Sequence, residues 1–240
     1  MHVVDVLSVT RRFGAKTVLK DVTLSVERGE IFGLLGPSGS GKTTLIKLMT
    51  GIDKSDEGTV RMLGEQMPKL AMLQRFGYMA QSDALYQELT ALENLQFFAS
   101  LYGLSGSRRK ERIQAAMKVV DLLDHLNKPV AAYSGGMKRR LSLAISLLHE
   151  PELLILDEPT VGIDPVLRQS IWNELTALKE RGTTIILTTH VMDEAEKCDR
   201  IGLIRNGELT AVDSPEGLKS ASGTDSLEQA FIVLGGGVRA

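Results

Sequence analysis

Three short stretches of this 240-residue chain combine residue types and spacings suited to phosphate chemistry. The first, Gly36-Pro37-Ser38-Gly39-Ser40-Gly41-Lys42-Thr43, fits G-x-x-x-x-G-K-[ST]. Its glycines let the backbone wrap closely around phosphate oxygens, with N–H groups and a positive helix end aimed at the anion. Lys42 is expected to reach the β- and γ-phosphates of a nucleotide, and the Thr43 hydroxyl to bind Mg2+. The second, Leu153-Leu154-Ile155-Leu156-Asp157-Glu158, is four apolar residues followed by two carboxylates. Asp157 is placed to hold Mg2+ and Glu158 to orient or deprotonate an attacking water, unless both are solvated carboxylates at a strand end. The third, Ser134-Gly135-Gly136-Met137, puts an N-cap residue and two glycines before a helix. That is a second anion site at a helix start, or an ordinary cap.

Each stretch needs an element to hold it. Ile31–Leu35 is a short apolar run that reads as a buried strand feeding the glycine loop, and Lys42–Thr50 has helical spacing closed by Gly51. Leu153–Leu156 is a second buried strand, delivering Asp157 to the carboxyl edge of a parallel sheet, where ligands bind in open α/β folds. Further strands are expected at 3–9, 21–27, 59–63, 77–81, 184–188 and 200–204. From Thr90 to His149 the pattern is helical, with a capping box at Thr90-Ala91-Leu92-Glu93 and amphipathic spacing from Arg108 to Leu126. Pro165 to Arg181 reads as a helix ended by Gly182. Strands alternating with helices argue for a parallel α/β sheet covered on its faces. The run Gly235–Ala240 is expected to fray.

Composition is that of an ordinary globular protein, 43% hydrophobic and 24% charged. A net charge of -2 argues against a nucleic-acid surface. The single cysteine, Cys198, leaves no intrachain disulfide and points to a reducing compartment. No basic-then-apolar leader opens the sequence, and no apolar run nears the roughly 20 residues that cross a bilayer.

Taken in order, the motifs resemble the ATP-binding subunit of ABC transporters over roughly residues 2 to 234. Gly36–Thr43 is similar to its Walker A loop, with Thr44 beside it; Ser134–Met137 to its signature motif; Leu153–Asp157 to Walker B. Gln81 stands at the Q-loop position, Glu158 at the catalytic glutamate, Val161-Gly162-Ile163-Asp164 at the D-loop, and His190 at the switch histidine. Phe13 stands where the family stacks an aromatic on adenine. The resemblance implies a P-loop NTPase with a RecA-like parallel-sheet core (about 1–81 and 150–220), an N-terminal antiparallel β region, an inserted helical subdomain (about 82–149) and a tail (about 221–240). It also implies ATP and Mg2+, the metal held by Thr43, Gln81 and Asp157. A head-to-tail homodimer or heterodimer is implied, in which Ser134, Gly135, Gly136 and Asp164 act in trans on the nucleotide of the other chain. Membrane permease subunits would be contacted near Ser82–Leu95, placing the protein peripherally on the cytoplasmic face. The motif departs from the common Leu-Ser-Gly-Gly-Gln at Tyr133 and at Met137, which has no amide to hydrogen-bond. The form Tyr-Ser-Gly-Gly-Met-Lys-Arg-Arg is similar to the bacterial ABC-2-type exporters of drugs, antibiotics and polysaccharides. A soluble ABC-type ATPase and a P-loop small-molecule kinase are the competing readings; the kinase leaves Ser134–Gly136 and His190 without a role.

Overall fold

In chain order the elements are β1 (His2–Phe13), β2 (Lys16–Glu27), β3 (Ile31–Leu35), α1 (Lys42–Thr50), β4 (Glu57–Met62), β5 (Glu65–Gln66), β6 (Phe76–Met79), α2 (Ala91–Leu101) and α3 (Gly106–Val119). There follow α4 (Gly135–Ser146), β7 (Leu153–Asp157), α5 (Pro165–Glu180), β8 (Thr184–Thr189), α6 (Met192–Ala195), β9 (Arg200–Arg205), β10 (Glu208–Asp213), α7 (Pro215–Ser222) and α8 (Leu227–Leu234). The structure is a computed structural model that describes residues 2–82 and 84–235. The chain divides into two compact units, Met1–Leu70 with Gly182–Ala240, and Ala71–Arg181.

The first unit holds an antiparallel sheet in the order β2-β1-β4-β5. The loose alternation of β1 has a cause: the register shifts between Val6 and Val9, and Ser8 sits at φ 48. This irregularity lets Val6 and Val9, an odd number of residues apart, both face the core at 0% exposure. In the same unit β3 lies between β8 and β9, parallel to both, and β10 adds antiparallel to β9. Every residue of β3 and β8 is buried, as in parallel sheets covered on both faces, and in β8 that includes Thr184, Thr188 and Thr189. Gly235, first of the run expected to fray, is held: its carbonyl accepts from Arg205 Nη1 at 2.7 Å. Gly236–Ala240 lie outside the described residues.

The second unit is built on β6 and β7, paired in parallel from Phe76↔Leu153 to Met79↔Leu156. The capping box of α2 is present, the Thr90 and Glu93 side chains each bonding the other's backbone N–H. The helix expected over 108–126 stops at Val119. Asp121 N–H donates to the Lys118 carbonyl and Leu122 N–H to that of Met117, with Asp121 at φ 52: a Schellman cap built on aspartate where glycine is usual. Arg140 Nη1 fixes that corner by donating to the carbonyls of Val120 and Asp121, both at 3.0 Å. At the end of α4, Arg112 donates to the Leu147 and Leu148 carbonyls, a cation at a helix C-terminus. His149 stacks on Tyr102 with centroids 3.8 Å apart, and burial lowers its pKa, holding it neutral. On α5, Ile171, Trp172 and Leu175 are buried at helical spacing, each contributing about 1.5–3 kcal/mol on the scale of buried large side chains.

Candidate functional site

In the first unit, β3 delivers Gly36 into a loop that turns into α1. Gly39 (φ 78) and Gly41 (φ 112) adopt conformations that side-chain-bearing residues avoid. A Cβ on Gly36 would lie 2.2 Å from the Ile204 carbonyl oxygen, so close backbone approach demands glycine there too. Gly41, the N-cap residue of α1, has no side chain with which to cap the first turn. Lys42, 5% exposed, spans the loop and donates from Nζ to the carbonyls of Gly36 (2.7 Å) and Pro37 (3.1 Å). Ser40 is buried, and the Gly207 N–H donates to its carbonyl, pinning the loop to the β9–β10 turn. Pro37, Ser38 and Gly39 are exposed, and Thr43 and Thr44 half-buried. A glycine cradle, an uncapped helix end and a lysine braced across them fit a nucleotide polyphosphate.

Phe13, at the end of β1, is 51% exposed, with the Arg11 guanidinium 4.5 Å above its ring. His190 is exposed immediately after the wholly buried β8. Its turn is fixed by a pair that sequence reasoning missed. Thr189 Oγ1 donates to Glu194 Oε2 at 2.7 Å and accepts from the Val191 N–H at 3.0 Å. Glu194 is 3% exposed; a carboxylate on a short polar helix carries no sequence sign of that burial.

In the second unit, the parallel pairing of β6 and β7 brings together three of the expected residues. Asp157, the last residue of β7, is 0% exposed. Glu158 follows at φ 53, a left-handed conformation rare for glutamate, of the kind that clusters at active sites. Gln81 leaves β6 alongside, its Nε2 3.4 Å from Glu158 Oε2. Burial, and secondarily the Asp157 carboxylate, push the Tyr78 phenol up to about 12. The Mg2+ ligands expected from sequence, the Asp157 carboxylate, the Gln81 amide oxygen and the Thr43 hydroxyl, are all hard oxygen donors of the kind Mg2+ takes.

The Ser134 turn also lies in this unit. Ser134 is exposed and caps α4, its Oγ accepting from the Met137 N–H at 3.2 Å. The variant residue Tyr133 is an anchor: it is 5% exposed and its hydroxyl donates to the His125 carbonyl at 2.8 Å. Met137 contributes its backbone N–H to the cap, which needs no side-chain amide. A Cβ on Gly136 would meet the Gly162 carbonyl oxygen at 3.3 Å, whereas one on Gly135 would meet nothing within 4 Å. Asp164 caps α5, its Oδ1 accepting from the Leu167 N–H at 3.0 Å. Arg139, five residues beyond Ser134, is 7% exposed and donates to the backbone carbonyls of Ala80, Gln81, Asp157 and Glu158. Among the described residues no cluster of three or more His, Cys, Asp or Glu could hold a metal, and no helix is long and apolar enough to cross a membrane.

Comparison with known proteins gives concordant matches. The family profile described as ABC transporter covers residues 19–161. The Escherichia coli "Probable multidrug ABC transporter ATP-binding protein YbhF" is 42% identical over 239 residues, 97% of this chain but 41% of that protein, so the chain spans less than half of that relative. The Bacillus subtilis "Linearmycin resistance ATP-binding protein LnrL" is 40% identical over 227 residues, 92% of this chain and 72% of that protein. Among solved structures, an ATP-binding subunit of an ABC transporter superposes with a TM-score of 0.90 at 30% identity, covering 97% of this chain and 99% of that one. A dimeric ATP-binding cassette in a post-hydrolysis state, bound to ADP and Pi, gives 0.81 at 28% identity, covering 88% and 98%.

Proposed function

The chain belongs to the ABC transporter family and has its α/β P-loop NTPase fold, and from that premise we propose that it binds and hydrolyses ATP to drive a separately encoded membrane permease of the exporter class. The observation that carries the reading is the Gly36–Thr43 cradle: glycine conformations, close backbone approach, an uncapped helix end and Lys42 occur together in one loop.

In this reading residues 1–240 act as one ATP-binding domain. The loop N–H groups of Gly36–Thr44 and the Lys42 ammonium bind the phosphates, and Phe13 stacks on adenine. Thr43, Gln81 and Asp157 would hold Mg2+, whose charge neutralises phosphate oxygens when it is bound. Glu158 orients and deprotonates the attacking water, and His190 contacts the γ-phosphate end. Ser134, Gly135, Gly136 and Asp164 serve the nucleotide of a second chain. Gly135 supports that assignment: neither a positive φ nor a neighbouring atom of its own chain calls for glycine there.

The permease contact is assigned to residues near Ser82–Leu95, of which Asp83 lies outside the described residues. Tyr86 in this segment is 46% exposed and meets Phe97 edge-on at 5.0 Å, a partly exposed aromatic pair suited to a partner. Its placement is firm, because the fully buried Asn94 accepts from the Tyr86 N–H and donates to the Tyr86 and Thr90 carbonyls. Such docking would hold the protein peripherally at the cytoplasmic face of the membrane. The exporter assignment draws on the relatives named for drug resistance and multidrug transport.

The test is Glu158→Gln. ATP binding persists, phosphate release falls by about 10²- to 10⁴-fold as loss of a general base predicts, and light scattering with ATP shows a dimer absent without it. Only monomers in ATP, or unimpaired hydrolysis, would refute the proposal.

A further inference from the structure

The guanidinium of Arg139 joins two strand exits. Nη1 donates to the carbonyls of Ala80 (2.6 Å) and Gln81 (2.9 Å), just beyond β6, and Nη2 to those of Asp157 and Glu158 (2.8 Å for Glu158), at the end of β7. Two of the four carbonyls belong to Gln81 and Glu158, whose side chains meet at 3.4 Å. One of them belongs to a residue in the left-handed region, which persists only where its surroundings over-determine it. The arginine lies on the same helix that Ser134 caps, five residues further on.

We propose that Arg139 is a positioning residue for ATP hydrolysis. By gripping both strand exits it aims Gln81 and Glu158, and it gives those two residues and the Ser134 turn a common support in α4. The inference rests on the assignment of Gln81 and Glu158 made above. The chemistry explains why arginine stands here. A planar fork presents its donors in fixed directions and lets each terminal nitrogen take one strand, whereas a lysine ammonium is a single point that cannot span both. The adjacent Arg140 makes bonds of the same kind to the end of α3, touching neither Gln81 nor Glu158, and so supplies an internal comparison.

The experiment measures steady-state ATP hydrolysis and equilibrium ATP binding in the full chain for Arg139→Met, Arg139→Lys, Arg140→Met and Glu158→Gln. Arg139→Met is expected to lower kcat about 10- to 100-fold, the scale of a small misplacement of catalytic groups, with the ATP dissociation constant within about threefold of wild type. Arg139→Lys is expected to recover part of the rate, and Arg140→Met to keep kcat within about threefold while lowering stability. The proposal is overturned if Arg139→Met hydrolyses at the wild-type rate, if binding weakens in step with kcat, or if Arg139→Met and Arg140→Met lose activity alike. Should Arg139→Met fail to fold, Arg139→Lys must still show the fall in kcat at unchanged binding, and a wild-type rate there overturns the proposal. Glu158→Gln separates the two levels: hydrolysis surviving it defeats the catalytic assignment itself, whereas a dead Glu158→Gln beside a fully active Arg139→Met defeats only the role given to Arg139.

Discussion

Two glycines in one loop make opposite predictions. Gly41 and Gly39 both have positive φ, 112 and 78, so alanine at either position incurs a backbone cost of about 1–2 kcal/mol. Their surroundings differ. A Cβ on Gly41 would lie 2.7 Å from Leu19 Cδ2 and 3.1 Å from the Val18 carbonyl oxygen, inside the packing between the loop and β2. Overpacking of that kind adds about 1–3 kcal/mol, so Gly41→Ala should destabilise by about 2–5 kcal/mol in all. A Cβ on Gly39 would meet nothing within 4 Å, and the residue is exposed. Gly39→Ala should therefore cost only the backbone share, and place its methyl group on the open side of the loop, where phosphate would approach. Urea unfolding of the two variants should rank Gly41→Ala as the less stable by about 1–3 kcal/mol, the packing share alone. Equilibrium ATP binding measured well below the unfolding transition should show that Gly39→Ala loses at least about tenfold in affinity, one bond's worth of loop contact. Equal stability losses, or a larger loss for Gly39→Ala, would show that the loop is not held by the contacts described and would refute the reasoning.

Two further outcomes follow from buried groups. Asn94→Ala removes three hydrogen bonds from a side chain with 0% exposure and should cost about 2–4 kcal/mol in urea unfolding; amide exchange at Tyr86 should accelerate, and an unchanged rate there would show that Asn94 does not hold the segment. Burial raises the phenols of Tyr78, Tyr102 and Tyr133, Tyr78 to about 12. A raised folded-state value means the contribution is complete below the ordinary phenol pKa of about 10 and is lost as pH rises from there towards 12. Thermal unfolding between those limits should show stability falling with pH, less steeply in Tyr78→Phe, and identical slopes would place Tyr78 in solvent.

How far the sequence discloses this architecture depends on where the bonding partners lie. The strand Ile31–Leu35 and the helix Lys42–Thr50 are legible to the residue, because an unbroken apolar run, a glycine loop and helical spacing are all local signals. The Thr90–Glu93 capping box is equally local. The end of α3 is not, since its cap puts Asp121 in the left-handed region where glycine would have announced the stop. The edge strand β10 is half exposed along its length and lacks a clean period of two. Signals that could have found α7 are present in Ser214, Pro215 and Gly223, the usual punctuation of a helix. Arg139 was beyond reach for a different reason. The four acceptors at the strand exits are backbone carbonyls 18 to 59 residues away, and a carbonyl leaves no residue type to read.

The same distinction separates what the fold needs from what a partner needs. Gly36 is required by its own chain, whose Ile204 carbonyl would sit 2.2 Å from any Cβ. Tyr133, the departure from the common signature, is likewise explained from within, by a buried ring and a bond to the His125 carbonyl. Gly135 has no such internal reason: its φ is not positive, the space around its absent Cβ is open, and in the first turn of a helix glycine gives up more conformational freedom on folding than alanine would. A residue that weakens its own helix and relieves no contact in its own chain is accounted for by an approach from outside. If Gly135→Ala stabilises the isolated chain in urea yet slows ATP hydrolysis, the glycine serves the second molecule; if it alters neither, the assignment of the Ser134 turn to a site in trans loses its structural support.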